Sequence, residues 1–204
     1  MLVKLYEENP NEKTLLQIVD VFKKGGIVIF PTDTVYGMGC DIYQQKAVEK
    51  VARIKGLKLE KANFSFLFYD LSHISDFTKP IDNHIFRMMK KNVPGPFTFI
   101  LNANSNVPRI FRSRKKTIGI RVPDNPITME LIRMLGNPVL TTSVHDPDEI
   151  IDYTTDPELI HEKHKDQVDI VIDGGFGKII PSTVIDCTGD EPEIIREGEE
   201  SLIE

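Results

Sequence analysis

Tryptophan is absent from this 204-residue chain, and cysteine occurs only at Cys40 and Cys187. Two cysteines so far apart, with no CxxC and no metal-ligand spacing, exclude a disulfide-built scaffold and a zinc ribbon. They fit a reduced compartment, although a Cys40–Cys187 bridge stays open on sequence alone. No stretch is long and apolar enough to span a bilayer, and the opening MLVKLYEENPNEK has no apolar core of signal-peptide length. A cytoplasmic protein with no membrane partner is therefore expected. Positive charge is also short: 25 Lys and Arg against 31 Asp and Glu give a formal charge of −6. That argues against a uniformly basic nucleic-acid binder but leaves room for a local basic surface. Repeats, low-complexity tracts and linkers that would split the chain are missing too. With 40% hydrophobic residues, the chain can bury a real core as one domain.

The stretch with most to say runs from Gly25 to Cys40, GGIVIFPTDTVYGMGC. Ile27, Val28, Ile29 and Phe30 form a short apolar run bounded by glycine and proline, the pattern of a strand buried on both faces. Pro31 ends the ladder. Thr32, Asp33, Thr34 and Tyr36 then read as a polar loop closed by Gly37 and Gly39. Such loops at the ends of buried strands are where open α/β sheets bind ligands. An ordinary strand-to-loop turn is the plain alternative.

Helical spacing marks residues 11–24, stopping at Gly25, and residues 44–55, stopping at Gly56. A third amphipathic run, Ile81 to Asn92, breaks at Pro94-Gly95-Pro96. Asn125-Pro126 opens a helix that ends at Gly136, and Asp156-Pro157 opens a charged one reaching about Asp166. Strands are expected at 64–69, 97–101, 117–122, 139–143 and 168–172. Two more, 183–187 and 193–196, flank a Gly189-Asp190 turn as a hairpin. Alternating strands and helices followed by hairpin-like pairs predict an α/β sheet of mixed direction. Arg109, Arg112, Arg114, Lys115 and Lys116 form the one dense basic cluster. It reads either as a solvated loop or as an RNA phosphate footprint, and its scarcity of aromatics argues against base stacking.

FPTDTVYGMGC at 30–40, VPGPFTFIL at 93–101, IGIRVPDNP at 118–126 and PSTVIDCTGDEPEIIREG at 181–198 together resemble the YrdC-like family, which includes the L-threonylcarbamoyladenylate synthases of tRNA modification. The resemblance implies a single YrdC-like domain over about 11–198, between an N-terminal segment (1–10) and a C-terminal tail (199–204). Its fold would be α/β, a twisted sheet of mixed parallel and antiparallel strands with flanking helices and a concave cavity. It also implies that L-threonine, bicarbonate and ATP react to give threonylcarbamoyl-AMP and pyrophosphate. Magnesium would accompany ATP, and no clustered carboxylate motif suggests a built-in metal site. tRNA or double-stranded RNA is an implied partner, and a monomer is expected.

By motif, Thr32 and Tyr36 would line the threonine pocket, and Arg121 would hold the threonine carboxylate with a two-pronged guanidinium grip. Taken alone, Arg121 reads as a strand-end arginine paired with a surface acid. Lys55 would face the phosphates, or equally would complement a helix C-terminus. Ser143 and Ser182 would bond phosphate or carbamate with Thr141 beside them, and Arg196 would reach the adenylate. Pro181-Ser182-Thr183 also fits a plain turn into a strand, and Arg196 a solvated C-terminal arginine.

Two family motifs are altered. Lys55-Gly56-Leu57 has leucine where the synthases carry arginine, and Ser143-Val144-His145 has histidine where they carry asparagine. His145 would replace the amide as a donor, or would be structural or solvated. The YciO branch departs at the same places, and the segments 115–123, 125–132 and 167–175 are similar to it. The resemblance thus leaves two expectations: a synthase-like enzyme, weakened or intact, and a non-catalytic RNA-binding or ribosome-associated protein.

Overall fold

A computed structural model describes residues 1–59, 62, 64–111, 116–144 and 152–203, with only the backbone at 152 and 153. Asn11 starts the first helix by accepting the Thr14 backbone N–H on its side-chain oxygen at 3.0 Å, and α1 runs Glu12–Lys23. α2 covers Gln45–Ile54 and α3 Asn83–Asn92. Asn125 caps α4 (Pro126–Leu135) in the same way, with Pro126 in its first turn and Gly136 at φ +80° ending it. The short α5 (Asp152–Thr155) precedes α6 (Pro157–His164), which Asp156 caps.

The strands are β1 (Leu2–Lys4), β2 (Val28–Phe30), β3 (Gly37–Asp41), β4 (Ser65–Leu67), β5 (Phe97–Asn102), β6 (Thr117–Arg121), β7 (Val139–Ser143), β8 (Ile170–Asp173), β9 (Thr183–Asp186) and β10 (Glu193–Arg196). They make one ten-stranded sheet in the order β1-β8-β2-β3-β7-β4-β6-β5-β9-β10. Four pairs are parallel (β1/β8, β8/β2, β4/β6, β5/β9) and the other five antiparallel, so the sheet is mixed as expected. Strand alternation splits the core in two. Val28, Phe30, Ile170 and Ile172 pack with Leu15, Phe22 and Leu131 of α1 and α4. Ile29, Met38 and Val171 join the larger cluster with Val48, Met89 and Phe99.

Gly37 and Gly39 overturn one expectation. They do not close a loop: they lie in β3, a central strand paired with β2 and β7. A Cβ on Gly39 would stand 2.1 Å from the Leu140 carbonyl oxygen, and one on Gly37 would stand 2.8 Å from both the Phe30 ring and Thr141 Oγ1. These glycines serve close packing between strands rather than turning. The loop therefore shrinks to residues 31–36. The folded unit also runs past the bounds 11 and 198. β1 pairs with β8 at one edge, and Asn92 clamps the backbone of Ile203, donating to its oxygen at 2.7 Å and accepting its N–H at 2.9 Å. Cys40 and Cys187 are both buried and free. Among the described residues no helix is long and apolar enough to cross a membrane.

Candidate functional site

Strands from β3 across to β10 bound a cavity of 410 Å³. Its floor is made of small residues. Gly37 pairs with Ser143 across β3 and β7 and lies close to the Thr141 hydroxyl, and a Cβ on Gly119 would meet Ser65 Oγ at 3.0 Å and Thr98 at 3.3 Å. The polar wall carries Thr32, Arg121, Thr141, Ser143, Ser182 and Arg196; Leu59, Ala62, Phe64, Phe66 and Phe111 supply apolar wall. A pocket of this size with apolar walls and a few convergent polar groups is the usual form of a small-molecule site.

Arg121 ends β6 and is 7% exposed. Its Nη2 donates to Asp33 Oδ1 at 2.5 Å and to Thr34 Oγ1 at 2.8 Å, and lies 3.4 Å from Thr32 Oγ1. The strand-end arginine thus does pair with an acid, but a buried one: the two side chains are 8% and 10% exposed. Nη2 belongs to both two-pronged edges of a guanidinium, and its two hydrogens are taken up by Asp33 and Thr34. The two-pronged carboxylate grip is therefore not offered in this arrangement. Arg121 Nε and Asp33 Oδ2 are buried with no hydrogen-bond partner.

The turn that supplies Asp33 is braced from two sides. Thr128 Oγ1 of α4 donates to the Pro31 carbonyl at 2.6 Å, and the Lys178 backbone N–H donates to the Thr34 carbonyl at 3.0 Å. Thr32 Oγ1 donates to the Val35 carbonyl at 2.7 Å and accepts the Thr34 N–H at 3.0 Å. Tyr36 touches the cavity, but its hydroxyl is engaged elsewhere, donating to the Gly175 carbonyl at 2.7 Å and accepting the Gly174 N–H at 3.1 Å. Burial pushes its pKa well above the ordinary tyrosine value.

Arg196 enters from β10. Its Nε and Nη2 donate to the Ser182 carbonyl at 3.1 and 2.7 Å, and Nη2 reaches Ser182 Oγ at 3.3 Å. Ser182 Oγ in turn shares a hydrogen bond with Thr98 Oγ1 at 2.9 Å. Partial burial first, and the nearby Arg121 second, hold the Arg196 guanidinium below its usual pKa. Two guanidiniums thus converge on one hollow, and the described residues that line it include no carboxylate, imidazole or amine. Such a wall can receive anions and stabilise developing negative charge.

Lys55 is the C-cap residue of α2 and is not among the residues that line the cavity, and Leu57 beyond it is 41% exposed. Arg109 and Lys116 are exposed; Arg112, Arg114, Lys115 and His145 lie outside the described residues. Sequence reasoning missed Asp33 and Thr34 as the partners of Arg121, Thr98 as the partner of Ser182, and the apolar wall. The FPTDTVYG and VPGPFTFIL stretches contain the first three, but nothing along the chain says which side chains meet.

A family model described as "Telomere recombination", for Sua5, YciO and YrdC, matches residues 20–198. "Uncharacterized protein YciO" of Escherichia coli K12 is 41% identical over 196 residues, covering 95% of this chain and 93% of that protein. Its crystal structure superposes with a TM-score of 0.89 over 97% of this chain and 95% of that one, at 40% identity. A putative threonylcarbamoyl-AMP synthase of Methanocaldococcus jannaschii is 35% identical over 205 residues, 97% of this chain and 92% of that protein. Sua5 of Pyrococcus abyssi, solved in complex with L-threonine, superposes with a TM-score of 0.87 at 26% identity, over 97% of this chain and 57% of that one. Agreement in sequence and fold over nearly the whole length places the chain in the Sua5–YciO–YrdC family.

Proposed function

We propose that the chain is a nucleotidyltransferase of the threonylcarbamoyl-AMP synthase type, serving the N6-threonylcarbamoyladenosine modification of tRNA. The observation that carries this reading is the convergence of Arg121 and Arg196 in one cavity that also has an apolar wall. That pairing suits an adenylate. The base would lie against Leu59, Phe64 and Phe111, and the phosphates against Arg196, Ser182 and Ser143. L-Threonine would enter beside Thr32, Thr141 and Arg121.

In the reaction, the threonine amine and bicarbonate combine with loss of water to give a carbamate. A carbamate oxygen then attacks the α-phosphorus of ATP, and the bond from that phosphorus to the departing pyrophosphate breaks. The chain's residues have little covalent work to do. They bring two anions together and stabilise charge at the phosphate with fixed donors. Among the described residues no group of three or more His, Cys, Asp or Glu could hold a metal ion. Magnesium would accompany ATP as its counter-ion and would help neutralise the phosphate charge.

Purified protein incubated with ATP, L-threonine and bicarbonate should release pyrophosphate and form the adenylate. Product no greater than that of an Arg121→Ala control would end the synthase reading. The placement of Lys55 and the exposure of Leu57 favour a second reading, a non-catalytic RNA-binding protein that keeps the cavity for another anionic ligand. In that case duplex RNA or tRNA should bind in the absence of ATP. Its affinity should fall with salt and with neutralisation of Arg109, Arg112, Arg114, Lys115 and Lys116.

A further inference from the structure

We propose that Asp33 is a positioning residue: held behind the cavity wall, it orients Arg121 and cancels its charge, so that Arg121 takes a ligand carboxylate by direction rather than by net charge. Asp33 is not among the residues that line the cavity, yet its Oδ1 holds Arg121 Nη2 in a pair almost wholly shielded from water. Thr34 Oγ1, on a residue 2% exposed, takes the other Nη2 hydrogen. A guanidinium fixed through one nitrogen has lost its freedom to rotate. What it has left to offer is its second terminal nitrogen, since Nε, although unpartnered, is buried.

The charge arrangement follows from the same contacts. Arg121 and Arg196 share one cavity, and two uncompensated guanidiniums there would draw any polyanion without discrimination. With Asp33 against Arg121, the excess positive charge rests on Arg196, whose head is held by the Ser182 carbonyl. A phosphate chain would be drawn toward Arg196, and a single carboxylate would be left to the directed N–H groups of Arg121. Division of this kind lets one hollow sort two anionic ligands.

The choice of threonine as the amino-acid probe rests on the synthase reading above; the positioning role does not. Asp33→Asn keeps the shape and an acceptor but removes the charge, and Thr34→Val keeps the charge but removes one acceptor. Arginine side-chain nitrogen NMR, assigned with Arg121→Lys, reads the positioning directly. Wild type should show a slowly exchanging, rotationally hindered Arg121 terminal nitrogen. That signature should vanish in Asp33→Asn and weaken in Thr34→Val.

Calorimetry with L-threonine and, separately, ATP reads the sorting. Asp33→Asn should weaken threonine about tenfold or more, the size of one charge-assisted hydrogen bond. It should leave ATP unchanged or bound more tightly, with a steeper salt dependence. Thr34→Val should weaken threonine by about threefold, as expected for a neutral hydrogen bond, and it keeps the test open should Asp33→Asn not fold. A hindered Arg121 signal that persists in both variants overturns the proposal, as does an equal loss of threonine and ATP. If the NMR signature changes as stated while wild type binds no threonine, the synthase reading fails and the positioning role stands.

Discussion

At the polar end of the cavity both guanidiniums are braced from behind, Arg121 by Asp33 and Thr34 and Arg196 by Ser182. Along the apolar wall the chain instead comes from the turn after α2, where Leu57 is 41% exposed and Lys55 is not among the residues that line the hollow. The polar end keeps Thr32, Arg121, Ser143, Ser182 and Arg196 where the resemblance implies them, although the motif that begins at Ser143 is altered at His145. The apolar end is where Lys-x-Arg has become Lys55-Gly56-Leu57. A side chain locked into a buried network cannot change without leaving an unpaired group, whereas an exposed one changes at little cost. Retention of the two braced guanidiniums beside a changed Lys55-Gly56-Leu57 is what that difference in cost would produce.

Breaking the braced end should have the largest effect. Arg121→Ala leaves the Asp33 carboxylate buried without its counter-charge, a loss on the order of 3–5 kcal/mol of stability. Chemical denaturation should show it as a lower midpoint, and threonine-dependent pyrophosphate release should fall by roughly a hundredfold or more. Replacing both partners, Asp33→Ala with Arg121→Ala, should recover much of the stability and none of the activity. A double variant as unstable as Arg121→Ala alone would mean that the pair is not what braces this end.

The loose end should respond in the opposite direction. Leu57→Arg restores the charge the synthases carry, at an exposed position where the fold should shift by no more than about 0.5 kcal/mol. One regained charge-assisted phosphate contact amounts to about 1.5–3 kcal/mol, or roughly ten- to a hundredfold in pyrophosphate release. If activity stays flat while the stability is unchanged, the leucine is not what limits the rate, and the apolar end serves a different ligand.

These two variants also mark what could be read along the chain and what could not. Helix ends were legible because they are local: Asn11, Asn125-Pro126 and Gly136 announce themselves within a few residues. The mixed sheet followed from alternation, and Thr32, Arg121, Ser143, Ser182 and Arg196 do meet at one hollow. The strand β3 was not legible, because GMGC has low strand propensity. Its glycines are explained by Phe30 on the neighbouring strand and by Leu140 and Thr141, about a hundred residues on. Asp33 was missed for the same reason, since its partner lies 88 residues away. Lys55 shows the converse limit: its place in the motif does not by itself put it among the residues that line the cavity.

A smaller effect should separate the two guanidiniums. Ser182→Ala removes the hydroxyl that Arg196 reaches at 3.3 Å and that Thr98 shares at 2.9 Å, but it keeps the carbonyl that Arg196 grips. The loss should be about 1 kcal/mol, near fivefold in nucleotide affinity by calorimetry, with threonine affinity unchanged. Equal weakening of both ligands would mean that the polar end acts as one unit rather than as two braces.

The smallest effect tests whether the bracing runs through backbone or through surface charge. Lys178 does both: its N–H holds the Thr34 carbonyl at 3.0 Å, and its ammonium pairs with Glu199 at 3.1 Å. Those two side chains are 51% and 50% exposed, so the pair is screened by water and contributes between about 0 and 1 kcal/mol. Lys178→Ala removes the ion pair and spares the N–H. The turn that presents Asp33 should therefore keep its place, with threonine affinity within about twofold of wild type and a melting point nearly unmoved. A tenfold loss would place part of the brace in the Glu199 segment, and the contrast between a rigid polar end and a loose apolar one would have to be redrawn around that charge.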